Sequence, residues 1–246
     1  MTSTIATVGK SGSGKTSVVY YLSDIIKNMF PEKSILLVDN DLTGELAEFF
    51  GLKIENTIYG IRSGKHEYNT GIPSKMTKQE YIEWALEDII VEVDDNIDII
   101  VSWLVASKDC RCPITKQMND ALVKLVERYD FVIFDCEYDL KYLHQLVDYP
   151  IDTTLVIANP DKKSIALSEK IFENSKKYAS NGQFGVILNK VNEDNLEKVT
   201  GVLNSFDLNL LGVIPDFCEN INGEEFKNSL KTIYSRLNLP QNPMGE

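Results

Sequence analysis

The 246-residue sequence holds only two histidines, His66 and His144, and they stand in unrelated contexts without ligand spacing. Both read as incidental, which leaves little room for a histidine-built metal or nucleophilic centre. Positive charge is also short: 25 Lys and Arg against 37 Asp and Glu, a net charge of −12. That balance argues against the phosphate backbone of DNA and against anionic membrane surfaces as main partners. No apolar run approaches the roughly 20 residues that span a bilayer. The first nine residues lack a basic n-region followed by an apolar h-region, so a cytoplasmic location is the expectation. Internal repeats and low-complexity segments are missing too. Cysteine is scarce, with four residues, Cys110, Cys112, Cys136 and Cys218. In a reducing compartment, a close pair among them points to metal or redox work before a structural disulfide.

What is present fits one globular unit. Hydrophobic residues make up 43% and charged residues 25%, ordinary values for a folded domain. The length suits a single α/β domain over residues 1–246. Strand-length apolar runs occur at Thr4–Val8, Ser34–Val38, Ile97–Val101, Phe131–Phe134, Thr154–Ala158, Phe184–Asn189 and Leu210–Ile214. Between them lie helical patterns. Val18, Val19, Leu22, Ile25 and Ile26 form one stripe; Ile114, Met118, Ala121, Leu122, Leu125 and Val126 form another; Phe226, Leu230, Ile233, Tyr234 and Leu237 form a third. Further helices are expected over Glu45–Phe50, stopped by Gly51, and over Gln79–Ile90, Ser164–Tyr178 and Glu193–Leu203. Seven apolar strands alternating with helices require a mostly parallel sheet covered on both faces, a three-layer α/β/α sandwich. Residues 52–95 read as an excursion of weak pattern, and residues 240–246 as a frayed tail.

The most informative stretch follows the first strand. Gly9-Lys10-Ser11-Gly12-Ser13-Gly14-Lys15-Thr16-Ser17 satisfies the phosphate-loop spacing, Gly, four residues, Gly, Lys, Ser or Thr. Glycines let successive backbone N–H groups converge on phosphate oxygens, and the helix N-terminus behind them favours an anion. Lys15 reaches the terminal phosphates and the Thr16 hydroxyl ligates Mg²⁺ in such a loop. The ligand expected is ATP or ADP with Mg²⁺. Phe131-Val-Ile-Phe-Asp135 adds an apolar strand ending in a carboxylate, which holds the same ion through a water. Asp39-Asn40-Asp41 ends the second strand at the edge where α/β ligands collect.

Cys110-Arg-Cys112-Pro113 stands apart from that group. Two thiols one residue apart close a ring poorly, yet they can share a soft ion such as Ni²⁺ or Zn²⁺. Cys112 falls at the start of a helix beside Arg111, where the dipole and the guanidinium favour thiolate. One chain supplies two sulfurs where such ions take four ligands, so a symmetric dimer would complete the site. Two incidental loop thiols are the competing reading.

Several of these motifs carry a resemblance. Lys10, after the first glycine, makes the loop similar to the deviant phosphate loop of the ATPase family that holds the nitrogenase iron protein, the MinD and ParA proteins and metal-insertion ATPases. There the early lysine reaches the partner's nucleotide across a dimer. Ser11 and Ser13 depart from that pattern, standing where glycine and usually valine are found. Cys110-x-Cys112-Pro113, Asp135-Cys136-Glu137, Asn159-Pro160, Asn189-Lys190-Val191 and Leu211-Gly-Val-Ile-Pro215 together resemble the carbon monoxide dehydrogenase nickel-insertion ATPase family. The resemblance implies a nucleotide-dependent homodimer that carries nickel or zinc on Cys110 and Cys112 to a client metalloenzyme. It also implies that Asp41 sits in the Mg²⁺ shell and positions water, with Asp39 supporting. It further implies that Glu137 lies beside the nucleotide and that Asn189, Lys190 and Pro215 hold the adenine. Catalysis would then rest on Lys10, Lys15 and Asp41. Tyr138 and Asp139 replace the Ala-Gly that follows Asp-x-Glu in that family, and Lys141 and Tyr142 replace its Glu-His, so the coupling of hydrolysis to dimer state can differ. Three other readings stay open: an iron–sulfur ATPase using Cys110 and Cys136, a positioning ATPase like MinD or ParA, and a degenerate switch that binds nucleotide but barely hydrolyses it.

Overall fold

The computed structural model describes residues 1–41, 44–63, 75–102, 116–178, 182–192, 195, 199, 206, 208–216 and 223–240, with the side chain of Tyr142 left out. In chain order the elements are β1 (Ser3–Gly9), α1 (Lys15–Met29), β2 (Ile35–Asn40), α2 (Glu45–Phe49), α3 (Ile58–Ser63), α4 (Lys78–Asp88), β3 (Val91–Asp94) and β4 (Ile97–Val101). They continue as α5 (Lys116–Val126), β5 (Phe131–Cys136), α6 (Leu140–Leu146), β6 (Thr153–Ala158), α7 (Lys162–Ser175), β7 (Gln183–Val191), β8 (Leu210–Pro215) and α8 (Gly223–Tyr234).

The strands form one sheet in the order β3-β4-β2-β5-β1-β6-β7-β8. Every neighbouring pair is parallel except β3 with β4. Continuous apolar strands need cover on both faces, and they receive it. On one face Phe131 and Ile133 of β5 pack with Val18, Val19 and Leu22 of α1, Leu46 of α2 and Phe226, Leu230 and Ile233 of α8. On the other, Val132, Phe134 and Cys136 pack with residues of α4, α5, α6 and α7. Side-chain alternation along β5 thus assigns Asp135 to the α1 face and Cys136 to the opposite one.

This topology positions a site. From β1 the chain runs outward through β2 to β4, returns to β5 beside β1, then crosses to β6 on β1's other side. The direction of winding reverses around β1, and an open α/β sheet collects ligands beyond the carboxyl ends of its strands at such a point. The phosphate-loop residues follow β1 there.

The sheet has eight strands where seven are expected. The additional one, β3 (Val91–Asp94), falls near the end of residues 52–95, so those four residues belong to the sheet. Its four residues alternate half-buried Val91 and Val93 with exposed Glu92 and Asp94. Being short, acidic and at the sheet edge, it offers little template for further pairing. A second correction is α6, which no apolar stripe of useful length announces; it is set by Asp139, whose carboxylate accepts the Lys141 N–H at 2.9 Å as an N-cap. Most of the helix expected over 193–203 lies outside the described residues. Among the described residues no helix is long and apolar enough to cross a membrane.

Candidate nucleotide site

Gly9 leaves β1 with φ 145°, and a Cβ there would stand 2.3 Å from the Ile157 carbonyl of β6, so only glycine fits. Gly14 has φ 93° and acts as the residue before α1, with no side-chain cap on the helix. The first turn of α1 holds no acidic residue either. An uncapped N-terminus leaves its N–H groups aimed outward with the positive end of the dipole, which suits an anion. Lys15 and Thr16, the first two helical residues, are 5% and 8% exposed. The Lys15 ammonium donates to the Lys10 carbonyl at 3.5 Å, so it is already folded over the loop. Lys10, Ser11 and Gly12 are exposed at the rim. The Lys10 charge is felt by Asp161 at the head of α7. Burial acts to raise that carboxyl, but hydrogen bonds from Ser164 and Lys163, together with Lys10, hold it below its ordinary value.

The carboxylates divide by depth. Thr7, Asp135 and Asp39 lie side by side across β1, β5 and β2. Asp39 and Asp135 are both fully buried. Burial pushes the Asp135 carboxyl up to about 6, against the pull of the Thr16 hydroxyl and the Lys15 ammonium. Burial and then the Asp135 charge push Asp39 up to about 7. Asp39 spends its oxygens on the chain itself, accepting the Asp41 N–H at 3.2 Å and the Leu46 N–H at 3.1 Å. It therefore holds the turn into α2, and Asp41 is the member that reaches the cleft. Asp135 accepts from the Thr7 hydroxyl at 3.3 Å through one oxygen, while its other oxygen is buried without a hydrogen-bond partner. Asp135 with its orphaned oxygen, the Thr16 hydroxyl and Asp41 in the cleft wall are a donor set that fits a hard divalent ion such as Mg²⁺.

A cleft of about 550 Å³ joins these groups. Its walls bring together Ser11, Gly12, Gly14, Lys15, Thr16 and Ser17 with Asp41, Glu137, Asn189, Lys190 and Pro215. Gly9, Ser13, Asp39 and Asp135 are buried and do not line it, nor does the exposed Lys10. Tyr21, Phe49 and Phe226 also line it, and none of the three is legible from the motifs. Tyr21 and Phe226, with rings 4.7 Å apart, come from helices at opposite ends of the chain, and each passes for part of an ordinary apolar stripe.

Two departures around the second carboxylate strand are resolved by geometry. Tyr138 uses its carbonyl to accept the Gly9 N–H at 2.9 Å, tying the start of the phosphate loop to the segment after β5. Asp139 turns its carboxylate into the α6 cap. Cys136 is wholly buried and burial pushes its thiol well above the ordinary range, so it is not placed to bind an iron–sulfur cluster. Cys110 and Cys112 lie outside the described residues, as does Cys218.

Residues 4–230 match a known family, the CobQ/CobB/MinD/ParA nucleotide binding domain. An uncharacterized ATP-binding protein of Methanocaldococcus jannaschii is 29% identical over 245 residues, covering 97% of this chain and 92% of its own. Among solved structures, the septum site-determining protein MinD of Pyrococcus horikoshii, complexed with Mg-ADP, superposes with a TM-score of 0.66 at 21% identity, covering 96% of each chain. MinD in a MinC:MinD complex from Aquifex aeolicus gives 0.68 at 16% identity, covering 99% of this chain and 100% of that one. These structural likenesses agree with the single α/β sandwich described above.

Proposed function

Because the chain belongs to the CobQ/CobB/MinD/ParA nucleotide-binding family, we propose that it is a cytoplasmic, Mg-ATP-dependent ATPase that switches between monomer and homodimer. The observation that carries this reading is the floor of the cleft, where buried Lys15 and Thr16 open an uncapped helix beneath Asp41 and in front of Asp135. ATP and water give ADP and phosphate. Thr16, Asp41 and Asp135 hold Mg²⁺, which neutralises phosphate charge when bound. Lys15, and Lys10 from the second copy, stabilise charge developing on the transferred group. Asp41 orients the attacking water, while Asp39 fixes the turn that carries Asp41. Ser11, Gly12, Ser13 and Ser17 line the phosphate path, and Glu137, Asn189, Lys190 and Pro215 enclose the rest of the nucleotide.

The cargo is proposed from sequence alone. Cys110 and Cys112, doubled across a dimer axis, present four thiolates to Ni²⁺ or Zn²⁺ for delivery to a client metalloenzyme of the carbon monoxide dehydrogenase kind. Metal content and solution mass, measured with ADP, with a non-hydrolysable ATP analogue and without nucleotide, test both parts. We expect about one metal ion per two chains, lost in the double variant Cys110→Ala, Cys112→Ala with ATP hydrolysis retained. Unchanged metal content in that variant would refute the cargo and leave the ATPase standing.

A positioning role like that of the MinD relatives is the second reading, favoured by the structural likeness over nearly the whole chain. The net charge of −12 weighs against a DNA or anionic-membrane surface as its track. Co-sedimentation with DNA or with anionic vesicles in the presence of ATP distinguishes the two.

A further inference from the structure

Asn189 and Lys190 end β7 in a way that a base-reading role does not require. Asn189 is 4% exposed. Its amide nitrogen donates to the Ser13 carbonyl at 2.8 Å, across 176 residues of sequence, and its amide oxygen accepts the Lys190 N–H at 2.9 Å. The Lys190 ammonium donates to the neighbouring Gly12 carbonyl at 2.9 Å. Two consecutive side chains thus grip two consecutive carbonyls of the phosphate loop. With the Ser13 N–H donating to the Lys10 carbonyl at 3.1 Å, these contacts fix the shape of the loop from both sides.

Two further observations fit this arrangement. A Cβ at Gly14 would stand 2.2 Å from the Asn189 amide nitrogen, so the loop comes as close to Asn189 as glycine allows. Lys190 has φ 63° and is the single non-glycine residue with positive φ among those described. A lysine in the left-handed region is strained and persists where its surroundings hold it. Here the holding contacts are the two bonds to the loop.

We infer that Asn189 and Lys190 are positioning residues for the phosphate loop, setting its anion-binding geometry whatever base the nucleotide carries. The inference rests on the nucleotide-binding reading but makes a separate claim: the pair governs affinity for the phosphate chain itself. The probe is inorganic tripolyphosphate with Mg²⁺, which has no base, set beside Mg-ATP and Mg-GTP in equilibrium binding. Asn189→Ala removes the neutral link without changing charge. It should weaken tripolyphosphate and ATP together, each about tenfold, the size of one buried hydrogen bond lost. Lys190→Asn, at an exposed position where asparagine tolerates the same backbone, should do likewise, and the loss should persist in about 1 M salt, where simple charge attraction is screened within about 3 Å. Lys190→Arg keeps a donor and should stay within about threefold of the parent.

A variant that loses ATP affinity or the ATP-over-GTP preference while binding tripolyphosphate normally would make the pair a base reader and overturn the inference. So would variants that bind all three ligands as the parent does. A parent protein that binds neither ATP nor tripolyphosphate would instead refute the nucleotide-binding reading, which keeps the two failures apart. Melting temperatures of all variants separate a loosened loop from a loosened fold.

Discussion

Asp39 and Asp135 face each other across neighbouring strands, both desolvated, and their titration is a residue-level property with a definite sign. The folded Asp39 carboxyl is raised from 3.8 to about 7. A raised acid stabilises the fold most below its unfolded value, and that stabilisation is lost as the pH rises through about 7. In protein free of nucleotide and metal, the melting temperature of the parent minus that of Asp39→Asn should therefore climb as pH falls from about 7 towards 4. A flat or falling difference would show that the pair stays ionised in the fold. The division of labour between Asp39 and Asp41 was open in the sequence because both residues occupy one short polar run. In the structure Asp39 accepts the Leu46 N–H, while Asp41 lines the cleft. Lys15 and Thr16, by contrast, stand out in the sequence because the phosphate-loop motif is local, and both line the cleft.

At the level of elements, α4 shows how a helix without a strong apolar stripe is fixed. Thr77 accepts the Glu80 N–H at 3.2 Å and Glu80 accepts the Thr77 N–H at 2.7 Å, a complete capping box. Thr77→Ala should cost about 1 kcal/mol, or about 2–4 °C in melting temperature for a chain of this size. Amide exchange should quicken first in the opening turn of α4. Most of the helices and the parallel strands could be placed from sequence because their apolar periods are long and regular, whereas the short α3 and α6 could not. The edge strand β3 could not, since four half-polar residues bear no more pattern than a turn, and its identity comes from pairing with β4. The aromatic wall of the cleft escaped for a similar reason. Tyr21 and Phe226 belong to helices that look complete without any ligand, and only the meeting of α1 with α8 brings the rings together.

For the molecule as a whole, ligand and fold are coupled. The cleft draws residues from the phosphate loop, α1, α2, β7, β8 and α8, so a bound nucleotide would touch segments from both ends of the chain. Mg-ATP at a hundred times its dissociation constant should stabilise the fold by about 2.7 kcal/mol, and Lys15→Ala should abolish most of that gain while leaving the ligand-free melt nearly unchanged. Calorimetry with and without nucleotide checks this directly. A different use follows from where Cys136 lies. It sits at the end of the central strand β5, next to β1 and β2, under helices packed on that face. Small alkylating reagents can reach its sulfur only when this middle part of the sheet opens, so its labelling rate under native conditions becomes a clock for opening of the core. A slow single phase of labelling at Cys136 reports the free energy and rate of a cooperative opening of this part of the core.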